Sequence, residues 1–471
     1  MKNIAKISFS FLALAAVLVL SGCDILKSND PGYKINLEIW GPIDDSAVIR
    51  DLTEEYRRNN PYVGTINYRK MVYDNYKTDL IDALASGQGP DIFLINNNWL
   101  PYFKNKIEPA PDYLVRETDV RDSFVDVVGW EMVADGRVYS LPMSVDSLAL
   151  FCNKDMFNAA GITSFPSTWE ELVEISQKLT HIDNNGNILQ SGAALGTAYN
   201  INRSTDVLAL LMIQNGALMT NAEKTRATFS DPIYQSGGSN KAGESALDFY
   251  VRFADINSPY YTWNSRMHYS VDAFSEESVA MMVNYSWQTG AILLKNAKLN
   301  FTIVPVPQFS GQKPANLAYY MGFAVNKNKI PPQAGSDDQA VPANYNQLRI
   351  HESWQLIKYL TMKNNGILTL TNGNTGNSKS FPVKIDPAEK YLTDTGRPAA
   401  RRDLVEKQKN VPLLSAFASG NLIAQSWYQT DPESTARILE EMIDEINRGS
   451  NSIYKALETA EQRVTQIMIG K

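Results

Sequence analysis

Two rhythms of apolar and polar residues alternate along this chain, a short strand-like one and a longer helical one, the pattern of α/β layers. Ile35–Trp40 reads as a strand that Gly41-Pro42 ends. The spacing of Val48, Ile49, Leu52 and Tyr56 then predicts a helix running through Arg58, with Asp44 or Asp45 as its cap. A second helix is predicted over Tyr76–Ala85. It closes at Gly87-Gln88-Gly89-Pro90, and Asp91–Ile95 forms the next strand, with Asp91 holding the loop before it. A βαβ opening of this kind implies a parallel sheet, with ligand groups at the carboxyl ends of its strands.

Further along, Ser167 and Glu170 are spaced as a capping box, and Trp169 packs the start of the helix they open. Asp183-Asn184-Asn185-Gly186-Asn187 carries carboxylate and amide groups, but its glycine comes too early for a calcium loop and Ala194 would fall at position twelve. A hairpin turn is the better reading. Residues 328–346 and 371–379 read as loops, and Asp431–Arg448 as a long amphipathic helix burying Ile438, Leu439, Met442, Ile443 and Ile446. There is no internal repeat.

The longest apolar run is at the start. Lys2 and Lys6 precede a stretch of 14 residues, Ile7–Leu20, interrupted only by Ser8 and Ser10. That suits a secretory leader and falls short of the ~20 residues that span a bilayer. Leu20-Ser21-Gly22-Cys23 follows directly and resembles the bacterial lipobox, in which the leader is cleaved before a cysteine that receives lipid. Residues 1–22 are therefore expected to be a lipoprotein signal peptide, with Cys23 lipidated and 23–32 a tether. The protein would then be exported and anchored to the outer face of the cytoplasmic membrane. With Cys23 committed to lipid, Cys152 has no disulfide partner.

Composition narrows the partners. The 471 residues are 44% apolar and 20% charged, enough for substantial cores. Lys plus Arg number 44 against 51 Asp plus Glu, a net charge of −7, and no basic stretch marks a nucleic-acid footprint. The three histidines, His181, His268 and His351, are too scattered for a His-rich metal centre. No P-loop, H-E-x-x-H, G-x-S-x-G or clustered Cys/His motif appears, so neither cofactor nor enzyme chemistry is indicated. The 23 tyrosines and 8 tryptophans offer flat apolar surfaces to a ligand as well as to a core.

Several segments in order resemble the extracellular solute-binding proteins of ABC importers, specifically the sugar-binding group that includes maltose-binding proteins. They are Leu37–Gly41, Leu84–Ile92 (LASGQGPDI), Gly136–Pro142, Asp146 with Asn153-Lys154-Asp155, Pro166–Leu172 (PSTWEEL), Phe274 with Val279–Trp287, and Ser426-Trp427-Tyr428. The similarity runs along almost the whole mature chain. It departs at Cys152, where a tyrosine is common, and at Asn98, where some relatives carry an acid.

The resemblance implies an α/β fold of two lobes joined by a multi-strand hinge, with the ligand in the cleft between them. Expected boundaries are 33–147 plus 319–375 for lobe 1 and 148–318 plus 376–471 for lobe 2. It implies a monomeric receptor that closes on a sugar or oligosaccharide and delivers it to a membrane permease. Sugars need rings for their C–H faces and amides or carboxylates for their hydroxyl edges. Trp287 and Trp427 match stacking positions, Asp146 an acidic one, and Asn98 and Asn284 are amide candidates. Trp40 serves either ligand contact or packing. Of Asp44 and Asp45, one caps the helix while the other is free to accept sugar hydroxyls. The rival ligands are polyamines, peptides, glycerol-phosphate-like solutes, and a ferric ion held by the twin tyrosines Tyr260-Tyr261 or Tyr319-Tyr320. A secreted glycoside hydrolase, using paired acids such as Asp44 and Asp146, is the remaining alternative.

Overall fold

The computed structural model describes residues 33–235, 238–332 and 340–470. The leader, Cys23 and the tether lie outside the described residues.

The chain opens as β1 (Ile35–Gly41), α1 (Ser46–Asn59), β2 (Val63–Lys70), α2 (Tyr73–Ala85) and β3 (Ile92–Asn96). β1 pairs in parallel with both β2 and β3. Every residue of β3 is buried, as befits a strand covered on both faces. Asp45 occupies the cap position of α1, yet its side chain makes no capping bond, and that of Asp44 is held by other groups described below. Neither aspartate caps the helix through its carboxylate. Gly87 supports the tight exit from α2 with a φ of +71°, where an added Cβ would also meet Ile330 Cγ1 at 2.8 Å. Asp91 is buried before β3, accepting from the Glu38 amide at 2.7 Å and from Lys329 at 3.0 Å.

The chain then leaves lobe 1 through β4 (Asp146–Ser147) and enters a second sheet built from β5 (Ala149–Asn153), β6 (His181–Ile182), β7 (Ile188–Ala193), β8 (Val279–Asn284) and β9 (Phe301–Pro305). Their spatial order is β9-β5-β8-β7-β6. The period of two along β5 sends Leu150 and Cys152 into one core and Ala149 and Phe151 into another, so this sheet is covered on both faces. The Asp183–Asn187 turn joins β6 to β7 as a hairpin, with the Asp183 carboxylate accepting from the amides of Asn185 and Asn187. In the helix Trp169–Leu179 the capping box falls one residue later than its spacing suggested, on Thr168 and Glu171. Glu171 reaches both Ser167 and Thr168, which leaves Glu170 turned outward. Trp169 is fully buried there, donating to Gln214 Oε1 at 2.6 Å.

β10 (Asn316–Tyr319) returns to the hinge, where it pairs with β4, and β11 (Met321–Val325) adds antiparallel to β3 in the first sheet. Residues 371–379 are less of a loop than expected. Thr371 ends one strand, Ile367–Thr371, and Ser378 begins its antiparallel partner, Ser378–Pro382, because alternating Ser and Thr hydroxyls pair across them. The first core also holds more of the late chain than the 376 boundary allows: Val383, Tyr391, Leu392, Leu404 and Val405 all pack into it. The last crossing is β12 (Ala424–Gln425), the third strand of the hinge sheet. Beyond it, the helix Pro432–Asn447 is capped by Asp431 and buries Ile438, Leu439, Met442 and Ile443 in lobe 2.

Candidate ligand cleft

Two adjoining chambers lie where the lobes meet the hinge. The inner one, of about 180 Å³, is walled by Tyr73 and Asn98 from lobe 1, Tyr319 from β10, and Arg203, Asp206, Tyr285 and Glu433 from lobe 2. The outer one, of about 760 Å³, is walled by Trp130 and Glu131 on one side and by Leu218, Lys224 and Tyr428 on the other. Asn97, Asn98, Ser426 and Trp427 line both. The carboxyl end of β3 supplies the asparagines, and the segment just past β12 supplies Ser426 and Trp427. Strand ends therefore deliver the polar groups, as open α/β sheets do.

An aromatic cluster backs the inner chamber. Tyr285 and Trp287 stack at 4.5 Å and 17°, and Tyr319 meets Trp287 edge-on at 5.2 Å. Arg203 lies over all three rings, 4.6 Å from that of Tyr319, and pairs with Asp206 at 2.8 Å. Its backbone is left-handed (φ +63°) at the start of the helix Ser204–Gln214. The Tyr285 hydroxyl donates to Asp206 at 3.1 Å, while the Tyr73 and Tyr319 hydroxyls share a hydrogen bond.

Two acids flank this arrangement. Asp146 accepts from the Ser147 amide (2.9 Å), the Ser286 amide (3.0 Å) and the Ser286 hydroxyl (2.5 Å), binding β4 to lobe 2. Burial pushes it up to about 7 despite these donors. Glu131 accepts from the Ser426 hydroxyl and from Asn97 Nδ2 at 3.1 Å, and burial raises it likewise to about 7.

The eight sequence-predicted ligand residues separate by position. Asn98 and Trp427 line both chambers, and Asn98 Oδ1 has no hydrogen-bond partner. Trp287 is not among the side chains lining either chamber; it is 37% exposed and stacked on Tyr285. Asn284 is buried at the end of β8, where its Oδ1 accepts from the Tyr285 amide; together with Asp146 it supports the Tyr285–Trp287 turn from off the chamber walls. Trp40, Asp44 and Asp45 also lie off those walls. The Trp40 indole donates to Glu38 at 2.6 Å under the Arg69 guanidinium. Asp44 accepts from the Tyr391 hydroxyl at 3.0 Å and pairs with Arg397 at 3.5 Å; burial raises its pKa, against the pull of Arg397. Asp45 is exposed and paired with Lys70 at 2.6 Å.

Tyr73, Asn97, Glu131, Arg203, Asp206 and Tyr285 were not anticipated. Tyr285, beside Trp287, and Asn97, beside Asn98, had a local signal; the others meet through long-range packing. Tyr319-Tyr320 do not converge on a metal: Tyr319 joins the cluster and Tyr320 buries its hydroxyl against Val127 O at 3.4 Å. Among the described residues no group of three or more His, Cys, Asp or Glu side chains is placed to hold a metal.

The profile of the bacterial extracellular solute-binding protein family matches residues 45–361, well over half of the chain. The chain belongs to this family. Among solute-binding relatives, the maltotriose-binding protein of Pyrococcus abyssi is 25% identical over 262 residues, 55% of this chain and 50% of that protein. Sequences named as binding proteins in Brucella abortus are 27% identical over 131 residues, 27% of this chain and 31% of theirs. The chain thus spans a third to a half of the length of these curated relatives. The solved sugar-binding protein MalE of Xanthomonas citri superposes with a TM-score of 0.70 at 17% identity, covering 93% of this chain and 98% of that one. This likeness establishes the two-lobed solute-binding fold. No helix among the described residues is long and apolar enough to cross a membrane.

Proposed function

We propose that this protein is the lipid-anchored receptor of an ABC importer, which captures a sugar or oligosaccharide between its lobes and hands it intact to a membrane permease. The observation that carries the reading is the shared wall of the two chambers. There an indole (Trp427) and two asparagine amides (Asn97, Asn98) meet at the junction of both lobes with the hinge. A ring face suits the C–H patch of a pyranose, and amides suit its hydroxyl edge. A ligand that touches both lobes favours the closed state, because only there are all its contacts made. The names of the relatives, a maltotriose-binding protein and a sugar-binding protein, support the same class.

A thermal-shift screen against mono- and oligosaccharides tests this reading. A true ligand at 100 times its Kd adds about 2.7 kcal/mol to stability. Stabilisation by polyamines, peptides or glycerol phosphates, and by no sugar, would replace the sugar reading. The anchor has its own test: Cys23→Ser moves the protein from the membrane fraction to the soluble fraction, and persistent membrane association removes the lipobox from the account.

A further inference from the structure

Glu131, on the lobe 1 wall of the outer chamber, is a carboxylate with only neutral groups in contact. The Ser426 hydroxyl and Asn97 Nδ2 donate to it, and the Tyr320 hydroxyl lies beside it. All three belong to lobe 1 or to the last crossing segment. The positive charge that reaches Glu131 comes from across the chamber, where Lys224 of lobe 2 draws its pKa down against the effect of burial. Lys104, the other cation on these walls, is taken by Asp135 at 2.6 Å.

Lys224 is held out by a strained turn. Its backbone is left-handed, at φ +57°, a conformation that is costly for a residue with a Cβ and free to glycine. Asn221 fixes the turn: its Oδ1 accepts from the amides of Thr225 and Arg226 at 2.9 Å each, and its carbonyl accepts from the Lys224 amide at 3.0 Å. The Lys224 ammonium stands over the Tyr428 ring at 5.6 Å. The segment Ser426–Tyr428 therefore touches the acid of lobe 1 at one end and the base of lobe 2 at the other.

We infer that Glu131 and Lys224 form an electrostatic latch across the outer chamber, which favours the arrangement in which both lobes wall it and weakens as the lobes part. The latch rests on the two-lobed fold and goes beyond the receptor reading, since it acts whichever solute is bound. The groups that bury Glu131 stay with it when lobe 2 swings away, so the attraction to Lys224 is what changes. Lys224 is exposed, so dissolved ions screen the pair; at 1 M salt the screening length is ~3 Å. Glu223, beside Lys224, also lines the chamber, is held by Asn221 Nδ2 at 2.9 Å, and as a like charge opposes the attraction.

The test is a pulsed electron-resonance distance measurement on the ligand-free full chain, with nitroxides on Ile367→Cys of lobe 1 and Leu294→Cys of lobe 2, both exposed positions. Cys152 is buried and stays unlabelled, and the chain with its native cysteines alone serves as the blank. At pH 8 most of a carboxyl group pushed up to about 7 is ionised. There, in dilute buffer, Lys224→Met and Glu131→Gln should each lower the ratio of closed to open populations at least threefold, and the double variant no further than either. Adding 1 M NaCl should produce the same drop in wild type and none in the variants. Lys224→Arg should keep the wild-type ratio, and Glu223→Gln should leave it equal or higher. A wild-type ratio insensitive to salt, a Lys224→Met ratio equal to wild type, or an Arg variant as open as the Met variant overturns the latch. A drop in Glu223→Gln matching that of Lys224→Met also overturns it, because the turn itself and not the charge pair would then be the cause. Each of these failures leaves the receptor reading intact.

Discussion

Twice in this chain a strand ends in a Ser-Trp pair whose serine hydroxyl donates to a carboxylate from another part of the molecule. Ser286-Trp287 follows β8 and binds Asp146; Ser426-Trp427 follows β12 and binds Glu131. In both pairs burial lifts the acid to about 7. The tryptophans nevertheless end in opposite environments. Trp427 is 7% exposed, edge-on to Phe229 in the lobe 2 core, yet it forms a wall of both chambers. Trp287 is 37% exposed and stacked on Tyr285, yet it lies off those walls. Exposure to solvent and access to the cavity are different properties. One indole anchors a core and lines the cleft as well; the other braces the aromatic wall by stacking on Tyr285.

Three substitutions press on this contrast. The largest effect is expected for Trp427→Ala, which empties a core position as well as a chamber wall. It should cost about 3–5 kcal/mol of stability in chemical denaturation and abolish measurable sugar binding. A variant as stable as wild type would mean that the ring does not pack as described. Trp287→Ala removes one stacked and one edge-on partner, for a loss of about 1–2 kcal/mol. It should also weaken sugar affinity at least tenfold by loosening Tyr285 and Tyr319. Unchanged affinity would make the ring purely a packing element and end the comparison at stability. The third effect is one of pH dependence. A buried acid whose pKa is raised from 3.8 to about 7 binds its proton more tightly in the folded protein than in the unfolded one. Its contribution to stability is complete below about pH 4 and fades as pH rises through about 7. Asp146→Asn should therefore flatten the decline of stability between pH 4 and 7, so that the variant gains on wild type as pH rises. Parallel curves for the two proteins would show that Asp146 does not titrate in that window.

The sequence was most informative where function follows from local chemistry. The elements β1, α1, α2 and β3, the hairpin at Asp183–Asn187 and the stripe of Ile438, Leu439, Met442 and Ile443 all rest on periods and turn residues within a few positions of one another, whereas the strand β2 between α1 and α2 was not read from the sequence. It was least informative where residues far apart share one role. Asp44 looked equally suited to a cap and to a sugar; its carboxylate does not cap the helix, and it lies off the walls of both chambers, its oxygens taken by Tyr391 and Arg397, some 350 positions later. Tyr319 and Tyr320 are adjacent tyrosines with opposite destinations: Tyr319 ends the hinge strand and joins the cluster, while Tyr320, between that strand and β11, packs into the first core.

What the sequence determined by itself is the class of object: an α/β chain with the ordered motifs of a solute-binding family, with Asn98 just past a strand end and Trp427 just ahead of the last long amphipathic helix. Those features are set by residues adjacent in the chain and survive any rearrangement of the lobes. Only the tertiary structure decided which side chains face the cleft, that Arg203 ties three rings together, and that Val383–Val405 belongs to the first core. These depend on contacts across hundreds of residues, and burial alone selects which polar groups find partners and which are left for a ligand.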